Sequence, residues 1–575
     1  MKRLKTILFA TGMAVLFSGC IKEKFNNLLQ NPNAPTPEQA DANLYFNQVQ
    51  LSFSGFYNSM SEFGASLTRM ETFFGPNYNV GYSPESFDGI WTTGYTGIIK
   101  NADALIALGT KNNLWYHVGA ANVLKAYTLM TLTDNFGDIP FVEANQGAAG
   151  NLNPKYSSGS AVYAGAGVLL DSAILQLARV PGVVPTNFQP SNDLFYGSES
   201  SATNGAAKRN RWISLARTLK LRALINTRRV DAGVAAKINA LIAIGDFIDT
   251  DGEEFTFKFS TILDNPNSRH PKYNGHYRVT GGAAGDYVGV NYLFTMSAKK
   301  ILAANIADPR RRFYFYRQSR ATPGTLDQHS CAYNATPTHY PVGMPYCFFS
   351  NTSGGGYWGR DHGDNSGIPP DNAVRTVFGV YPAGGEFDDN SSNGSVSVST
   401  RFGARGAGIH PIVMSWHSDF MIAEALLTIP GIVAPNPSKT YMLNGVNKNI
   451  NRVVNFGTSI GYTFTIPATI PAAITSYTTY VSNNYDLAID DNQRLDILGE
   501  EYYCTLWGNG IEAYNLYRRT SRPRNMQLTI NANSGTFIRS FFYPSVSRQL
   551  NINAPSQKAN MGVKVFWDTN PDPLQ

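Results

Sequence analysis

Three patterns in the sequence contain residues that enzymes use as nucleophiles, acids or metal ligands. Residues 457–461 (GTSIG) match the G-x-S-x-G pattern, but the run YTFTIP follows where a nucleophile elbow requires a helix. Glu500 and Glu501 are adjacent, so on a helix their carboxylates point about 100° apart, whereas a glycosidase pair must flank one bond. His410 and His417 lie on either side of a proline, without a third metal ligand nearby. The sequence thus offers no motif on which a catalytic site can be built.

A fourth pattern, residues 357–365 (YWGRDHGDN), has the oxygen-rich composition of a cation site. Asp361, Asp364 and Asn365 are ligands of the type that calcium takes, although the EF-hand spacing and its closing glutamate are absent. We interpret the run as a polar loop that bonds to itself, with calcium near Asp361 and Asp364 as the alternative. No other metal or cofactor is expected.

The residue with the most specific chemical signature is Cys20, which closes residues 16–20 (LFSGC). A short basic head and an apolar run over residues 7–17 precede it, and this run is too short to span a bilayer stably. The order is typical of a secretory signal that ends in a lipobox, in which the cysteine thiol is acylated and becomes the first mature residue. We therefore expect residues 1–19 to be a signal peptide and Cys20 to anchor the chain to a membrane through lipid. An ordinary cleaved signal with a chance cysteine is the alternative.

The residues that follow Cys20 predict the location of the protein and a flexible tether. Ile21 occupies the position where an inner-membrane retention signal would have aspartate. We therefore expect the protein to be anchored in the outer membrane and exposed at the cell surface. Residues 20–35 are polar and interrupted by prolines, as in a flexible tether. Residues 36–575 then form the folded part, which we expect to be one large domain with long insertions or two closely packed lobes.

Composition narrows the class of partner. The formal net charge is +6, three units of which come from the basic head of the signal, so nothing in the charge balance favours nucleic acid. Charged residues make up 15% of the chain and aromatic residues 12%, a balance that permits binding of neutral, hydrogen-bonding ligands. Cys331 and Cys347 flank one loop and leave two alternatives open, a disulfide or two free thiols.

Apolar periodicity predicts a mostly helical fold. A helix should begin at residues 36–39 (TPEQ), which supply an N-cap, a proline at the first helical position and a capping-box partner. A looser second helix is expected to reach about residue 72. Further helices are predicted at residues 91–105, 115–133, 162–177, 212–230, 234–244, 415–427, 440–454, 491–507 and 511–519. Paired helices of this length indicate stacked hairpins of the tetratricopeptide type, although no clean period of about 34 residues is visible.

Two segments depart from this helical pattern. Residues 249–410 are rich in Gly, Pro, Asn and Tyr, with one helix predicted near residues 297–304. Residues 73–87 carry five aromatic rings among prolines and glycines, and we expect this loop to be unable to bury all of them. Long irregular stretches inside a compact domain are usually functional. The ligand-binding insert is therefore predicted at about residues 249–410, together with the loop at residues 73–87.

Several segments, in order along the chain, resemble one family. They are residues 31–36 (NPNAPT), 132–141 (LTDNFGDIPF), 219–222 (LKLR) after Trp212, 418–425 (SDFMIAEA), 507–523 (WGNGIEAYNLYRRTSRP) and 542–544 (FYP). Together with the lipobox they resemble the SusD/RagB family of outer-membrane lipoproteins, the nutrient-binding subunits that cap TonB-dependent transporters in Bacteroidetes-type bacteria. The resemblance implies a right-handed superhelix of four tetratricopeptide-like helix-turn-helix repeats, with a large irregular, loop-rich insert packed on it.

The resemblance also implies a function without chemistry. A protein of this kind binds an oligomeric nutrient at the cell surface and delivers it to a SusC-like TonB-dependent transporter in the outer membrane. A glycan is favoured over an oligopeptide, because pyranose C–H faces stack on aromatic rings and their hydroxyls need polar partners. Two other classes stay open: a membrane-anchored hydrolase, and a helical-repeat scaffold or adhesion lipoprotein without a small ligand.

Loop aromatics are the candidate ligand-binding residues. Phe74, Tyr78, Tyr82 and Trp358 have few helical neighbours to bury them, so we expect exposed stacking platforms, with Arg360 as a hydrogen-bonding partner beside them. The alternative is that each ring fills the seam between loop and superhelix.

The charged residues of the resembling helices receive a structural interpretation. Arg518 and Arg519 fall in the last turn of a predicted helix and should pin it against its neighbour. Glu424, inside an apolar helix, is expected to bond to an adjacent helix rather than to a ligand. Glu512 is expected to lie too far along the helix to pair with Arg519.

Overall fold

The computed structural model describes residues 41–75, 77–179, 192–197, 206–277, 287–318, 335–346, 356–364, 375–391, 403–531 and 533–572. The expected signal, the tether with Cys20, the predicted helix start at residues 36–39, the pair Cys331 and Cys347, and Asn365 lie outside these residues. The described chain is mostly helical, as its sequence predicts.

The N-terminal half forms a right-handed superhelix in which long helices pack in the order of the sequence. Its helices are α1 (Ala42–Leu67), α2 (Tyr78–Gly81), α3 (Asp88–Thr92), the π-helix π1 (Thr93–Ile99), α4 (Lys100–Lys111), α5 (Trp115–Phe136), α6 (Gly159–Leu177), α7 (Ala206–Thr227) and α8 (Val234–Ile244). Helices α3, π1 and α4 follow one another without a break. From α4 to α8 each helix packs along the next, which produces the tetratricopeptide-like stacking.

Local sequence explains where these helices begin and end. Asp41 caps α1, since its side chain accepts a hydrogen bond from the backbone N–H of Asn43 at 2.8 Å. Helix α5 is buried around almost its whole circumference and so lies at the centre of the first core cluster. It ends at Gly137, whose φ of +81° favours glycine over any other residue.

The loop-rich insert is joined at its base by a short antiparallel pair. Strand β3 (Phe255–Lys258) pairs with β6 (Ile409–Val413), so that Phe255 lies opposite Val413. The insert also contains α9 (Pro271–Tyr277), α10 (Val290–Ser297), α11 (Lys299–Ala304), α12 (Arg311–Tyr314), β4 (Phe315–Arg317) and β5 (Thr376–Phe378), and β4 pairs with β5. A third pair, β1 (Ile139–Pro140) with β2 (Tyr156–Ser157), lies in the superhelical half. The described part of the insert thus has more regular structure than the single helix predicted there.

The C-terminal part forms a second core and returns to the first helix. Its helices are α13 (His417–Thr428), α14 (Ser438–Ser459), α15 (Ile470–Leu487), α16 (Asp491–Thr505), α17 (Gly510–Thr520) and α18 (Ser545–Leu550). Helices α13, α14 and α16 pack on the insert, whereas α17 packs against α1. These two helices are in close contact at Gly64 of α1 and Gly510 of α17, where a Cβ added to either glycine would overlap the backbone of the other helix. The two ends of the described chain are therefore held together.

Two helical predictions differ from the structure. The sequence pattern does not predict helix α15, because its Thr, Ser, Asn and Tyr residues are weak helix formers. It forms because one stripe is buried, namely Ile470, Tyr477, Val481 and Tyr485. The looser second helix to residue 72 is wrong, since α1 runs unbroken to Leu67.

Helix α6 is long and apolar enough, by length and composition, to cross a membrane. In the structure it packs between α5 and α7, with Leu170 and Ala173 fully buried. Its outer face carries Val168 and Leu175, which are exposed. Here α6 is a superhelix element.

Buried ion pairs connect helices of the C-terminal part to one another. Arg519 pairs with Glu424 of α13, which confirms the structural role expected for both residues. The expectation that Glu512 cannot pair with Arg519 is wrong, because Arg519 Nη1 lies 2.8 Å from Glu512 Oε1. The two residues are about two turns apart on the same helix face, and the long arginine side chain spans this distance.

Candidate functional site

An open cleft of about 600 Å³ lies beside α1, next to the aromatic loop singled out in the sequence. Its size falls in the range of small-ligand sites. The lining residues are Gly55, Phe56, Ser59, Glu62, Phe63, Ser66, Glu71, Thr72, Phe73, Phe74, Gly81, Tyr82, Ser86, Gly89, Ile90, Thr93 and Lys272. The cleft therefore combines aromatic rings, hydroxyls and a few charges.

Helical periodicity builds two walls of the cleft. Residues 55–66 of α1 contribute side chains at steps of three and four, which places them on one face of the helix. Gly89, Ile90 and Thr93, at the junction of α3 and π1, form the second wall. The segment from Glu71 to Phe74 closes the space between them. The walls are thus helical, whereas the closing segment has one bridge residue, Glu71, and no regular structure from Thr72 to Phe74.

A charged triad lies at one end of the cleft. The ammonium group of Lys272 lies 2.9 Å from Glu71 Oε2 and 3.2 Å from Glu62 Oε1. The side chain of Lys272 is 9% exposed and that of Glu62 is 43% exposed. Asn58 donates a hydrogen bond to the same Glu62 oxygen at 3.1 Å. One carboxylate of the triad therefore reaches solvent, while the cation lies beneath it.

Aromatic rings form the other end of the cleft. The rings of Phe73 and Tyr82 are stacked with centroids 4.9 Å apart. Tyr82 donates a hydrogen bond to Ser66 Oγ at 3.0 Å, and burial raises the pKa of its phenol. Phe74 is only half-buried, and the guanidinium of Arg360 lies 5.7 Å from its ring centroid. Phe74 is thus the loop ring that a ligand in the cleft can reach most easily.

The structure brings two of the predicted ligand-binding residues to this cleft. Phe74 and Tyr82 line it, whereas Tyr78 and Trp358 do not. Tyr78 packs on Phe73 and Tyr82, and its hydroxyl lies 2.9 Å from His362 Nε2.

The expected exposure of the predicted residues is wrong for most of them. Tyr78, Tyr82 and Arg360 are at most 6% exposed, and Trp358 is 1% exposed within the second core cluster. Backbone bridges explain this burial, because Glu71 pairs with Val288, and Gly289 in turn pairs with Arg360. The loop at residues 73–87 is thereby folded onto the insert, and Phe74 alone among the five predicted residues keeps a half-exposed side chain.

Sequence reasoning missed the contribution of α1 and α9. Glu62 and Phe63 lie on a helix whose sequence indicates only a scaffold, and Lys272 lies far away in the sequence. A signal was present in α1: Asn58, Glu62 and Ser66 recur at steps of four on a largely apolar helix. No comparable signal marks Lys272.

The carboxylates considered for calcium have protein partners. Asp361 Oδ1 accepts hydrogen bonds from the hydroxyl of Tyr340 at 2.8 Å and from Gln527 Nε2 at 2.7 Å. Asp364 lies 3.5 Å from Arg360 Nε. Within the ranges described, no group of three or more acidic, histidine or cysteine side chains is arranged to hold a metal ion. Asp364 thus pairs within its own loop, as interpreted from the sequence, whereas Asp361 bonds to residues outside that loop.

The residues considered for catalysis take part in local packing. Ser459 is the last residue of α14 and donates a hydrogen bond to the carbonyl of Phe456 at 2.7 Å. Burial lowers the pKa of His410 and of His417 to about 3, so both are neutral. Glu500 is half-buried, and the ammonium groups of Lys300 and Lys299 lower the pKa of its carboxyl to about 2. These contacts fit the structural interpretation of all three patterns.

The fold and the cleft together define a class: helical-repeat proteins of the tetratricopeptide type that carry a loop-rich insert. The family can also be named. Residues 32–350 match the SusD-like model described as "Starch-binding associating with outer membrane". This chain belongs to that SusD-like family, which confirms the resemblance seen in the sequence.

Solved structures agree with this assignment at the level of the fold. A chitin-binding SusD homolog from Flavobacterium johnsoniae is 15% identical, with a TM-score of 0.58 over 91% of this chain and 99% of that one. A SusD homolog from Bacteroides fragilis is 16% identical, with a TM-score of 0.60 over 89% and 94%. A SusD/RagB family protein from Bacteroides thetaiotaomicron is 18% identical, with a TM-score of 0.60 over 92% and 100%. No curated relative matches the sequence.

Proposed function

We propose that this protein is a surface lipoprotein of the outer membrane that binds an oligosaccharide in the cleft beside α1. It would deliver the glycan to a SusC-like TonB-dependent transporter, without chemistry of its own. The observation that carries the proposal is the cleft itself, in which the half-buried rings of Phe63 and Phe74 adjoin a row of hydroxyl and carboxylate groups. Rings offer stacking surfaces to pyranose C–H faces, and the polar row offers partners to sugar hydroxyls.

Membership of the family supports this choice of ligand over an oligopeptide. The family is described as starch-binding, and the Flavobacterium johnsoniae homolog is a chitin-binding protein. Starch and chitin are both neutral polymers of glucose-type sugars. The cleft of this chain has hydroxyls of Ser59, Ser66 and Thr93 along its helical walls, which suits such ligands.

The binding step is tested by titration calorimetry on the mature chain. The panel holds chitohexaose, maltohexaose and cellohexaose, together with hexapeptides of mixed sequence. We expect at least one hexasaccharide to bind and the peptides to give no heat. Binding of peptides alone would contradict the glycan proposal, and hydrolysis of a bound hexasaccharide during the titration would favour an anchored hydrolase.

Anchoring is tested with the variant Cys20→Ala, expressed with its signal. We expect loss of acylation and recovery of the protein in the soluble fraction, because the lipid is the proposed membrane attachment. Retention of the variant in outer-membrane vesicles would overturn the lipoprotein proposal.

For the delivery step, gentle detergent extraction should recover the protein together with a large outer-membrane transporter. Recovery of the protein without any transporter would count against delivery.

A further inference from the structure

Three charged residues line the cleft within the described parts of the chain: Glu62, Glu71 and Lys272. Two carboxylates and one ammonium give this site a net charge of −1. A ligand that enters the cleft therefore meets an excess of negative charge close to the hydroxyl-lined walls.

The cation of the triad is already engaged. Lys272 lies within 3.2 Å of both carboxylates, its side chain is 9% exposed, and its ammonium lies 5.8 Å from the ring centroid of Phe378. Pairing Lys272 with an anionic ligand would require breaking these contacts. The guanidinium of Arg360, behind Phe74, is covered by the rings of Phe74 and Tyr287 and lies 3.5 Å from Asp364. Neither cation is presented to a ligand.

The anion of the triad is presented instead. The side chain of Glu62 is 43% exposed. Its Oε1 accepts a hydrogen bond from Asn58 and lies 3.2 Å from the ammonium of Lys272. In the part of the chain that the structure describes, no residue donates a hydrogen bond to Glu62 Oε2. This oxygen is an acceptor for a sugar hydroxyl, and it repels a carboxylate or sulfate brought to the same place.

Resting on the proposed glycan-binding function, we propose that Glu62 makes the cleft a charge filter, which accepts neutral oligosaccharides and discriminates against anionic ones such as uronates. Two unit charges about 6 Å apart in a partly exposed site repel each other enough to weaken binding about tenfold. Glu62 is thus proposed as a specificity-determining residue, and Lys272 as the group that positions its carboxylate.

The test uses matched ligands and matched variants. The neutral probe is whichever of chitohexaose, maltohexaose and cellohexaose binds tightest, and the anionic probe is the same hexasaccharide oxidised at C6 to carboxylates. Both are titrated into the wild-type mature chain, Glu62→Gln, Glu62→Asp and Asp486→Asn. Asp486 is an exposed acid on α15 that does not line the cleft, so its variant removes one negative charge elsewhere.

The charge filter has a defined signature. The oxidised hexasaccharide should bind the wild type about tenfold more weakly than the neutral one, and Glu62→Gln should recover most of this loss. Glu62→Asp and Asp486→Asn should keep the discrimination, and 1 M NaCl should reduce it because the Debye length falls to about 3 Å.

Other results would separate the two proposals. Equal binding of the two probes to the wild type, or discrimination that persists in Glu62→Gln, would overturn the charge filter while leaving glycan binding intact. Absence of binding by every neutral hexasaccharide would instead overturn the proposed function, and the filter with it. Thermal melts of each variant show whether a loss of binding reflects a loss of folded protein.

Discussion

Arg519 holds the carboxylate of Glu424 in a bidentate contact: Nε lies 3.0 Å from Oε1, and Nη2 lies 3.0 Å from Oε2. The two side chains are 1% and 0% exposed. The pair connects α17, which packs against α1, to α13 of the second core. Arg228, in the turn directly after α7, also lies 3.2 Å from Glu424 Oε1, so the superhelical half contributes a second cation to the same buried carboxylate.

Removal of this carboxylate should be strongly destabilising. Glu424→Ala leaves Arg519 and Arg228 buried with less compensating charge, and we expect a loss of about 3 to 5 kcal/mol in the free energy of unfolding. Asp486→Ala is the matched control, because its pair with Lys439 is 61% and 30% exposed and should be worth less than about 1 kcal/mol. Denaturant melts measure both, and equal losses would contradict the role given to burial.

The helical scaffold can be predicted from the sequence because apolar residues repeat at the period of a helix. The apolar stripe at Trp91, Ile98 and Leu105 predicts the helix that contains π1, and Gly137 predicts the end of α5. A single charge inside an apolar helix, as at Glu424, is enough to indicate a buried ion pair. The pair between Glu512 and Arg519 is missed, since two-turn spacing is outside the usual neighbour rule.

The residues of the cleft can be predicted only in part from the sequence, because their positions depend on long-range packing. The loop at residues 73–87 is distinctive in the sequence, but its composition predicts exposed rings, and most of them are buried. Burial of Trp358 and Tyr78 comes from contacts with distant segments, which no local pattern encodes. Lys272 reaches the cleft through long-range packing of the insert against α1, which places its ammonium 3.2 Å from Glu62 Oε1.

Phe74 should matter for binding and little for stability. Its ring lines the cleft and is half-buried, so Phe74→Ala should weaken binding of the preferred hexasaccharide by about 1 to 3 kcal/mol, with nearly the same melting temperature. Phe566→Ala is the control, since this half-buried ring packs on Tyr163 outside the cleft. Calorimetry and thermal melts on both variants decide the point. Undiminished binding by Phe74→Ala would exclude the ring as a stacking platform.

Trp358 should behave in the opposite way. It is 1% exposed in the second core cluster, so Trp358→Ala opens a large cavity and should cost about 3 to 5 kcal/mol of unfolding free energy. Binding by the fraction that remains folded should be retained, because the ring does not line the cleft. Titration below the melting temperature, with the folded fraction measured by circular dichroism, gives both quantities. A stable variant that has lost binding would restore Trp358 as a ligand contact.

Stability should fall on mild acidification because of buried histidines. Burial lowers the pKa of His117 to about 4 and of His410 and His417 to about 3. Unfolded histidines bind protons below a pH of about 6.5 and these folded ones do not, so the unfolded state gains protons as the pH falls. The contribution of each histidine is complete above a pH of about 6.5 and is progressively lost below it, by up to about 2 kcal/mol at a pH of about 5.

Melting temperatures measured between about pH 5 and about pH 8 check this prediction. The histidine part of the curve should be flat above about pH 7 and should decline below about pH 6.5, whereas Glu254 and Lys558, whose pKa values burial shifts to about 7, add slopes of their own. His117→Asn removes one titrating group, so the decline of this variant should be shallower by the share of one histidine. A decline of the same steepness in the variant would show that other groups cause it.

The last prediction concerns the contact between α1 and α17. A Cβ added to Gly64 would overlap the carbonyl oxygen of Gly510, whereas a Cβ added to Gly55, nine residues earlier on the same helix, meets nothing within 4 Å. Gly64→Ala must therefore push the two helices apart, and we expect a loss of about 1 to 3 kcal/mol. Gly55→Ala should stabilise the protein by about 0.5 to 1 kcal/mol, because alanine is the better helix former.

The same displacement should reach the cleft. Glu62 and Phe63 immediately precede Gly64, so a shift of α1 moves both of these lining residues. Gly64→Ala should accordingly weaken hexasaccharide binding as well as stability. Denaturant melts and calorimetry on the two alanine variants measure these effects. If Gly64→Ala were as stable as Gly55→Ala, the close contact between α1 and α17 would be wrong, and the positioning of the cleft by that contact would be wrong with it.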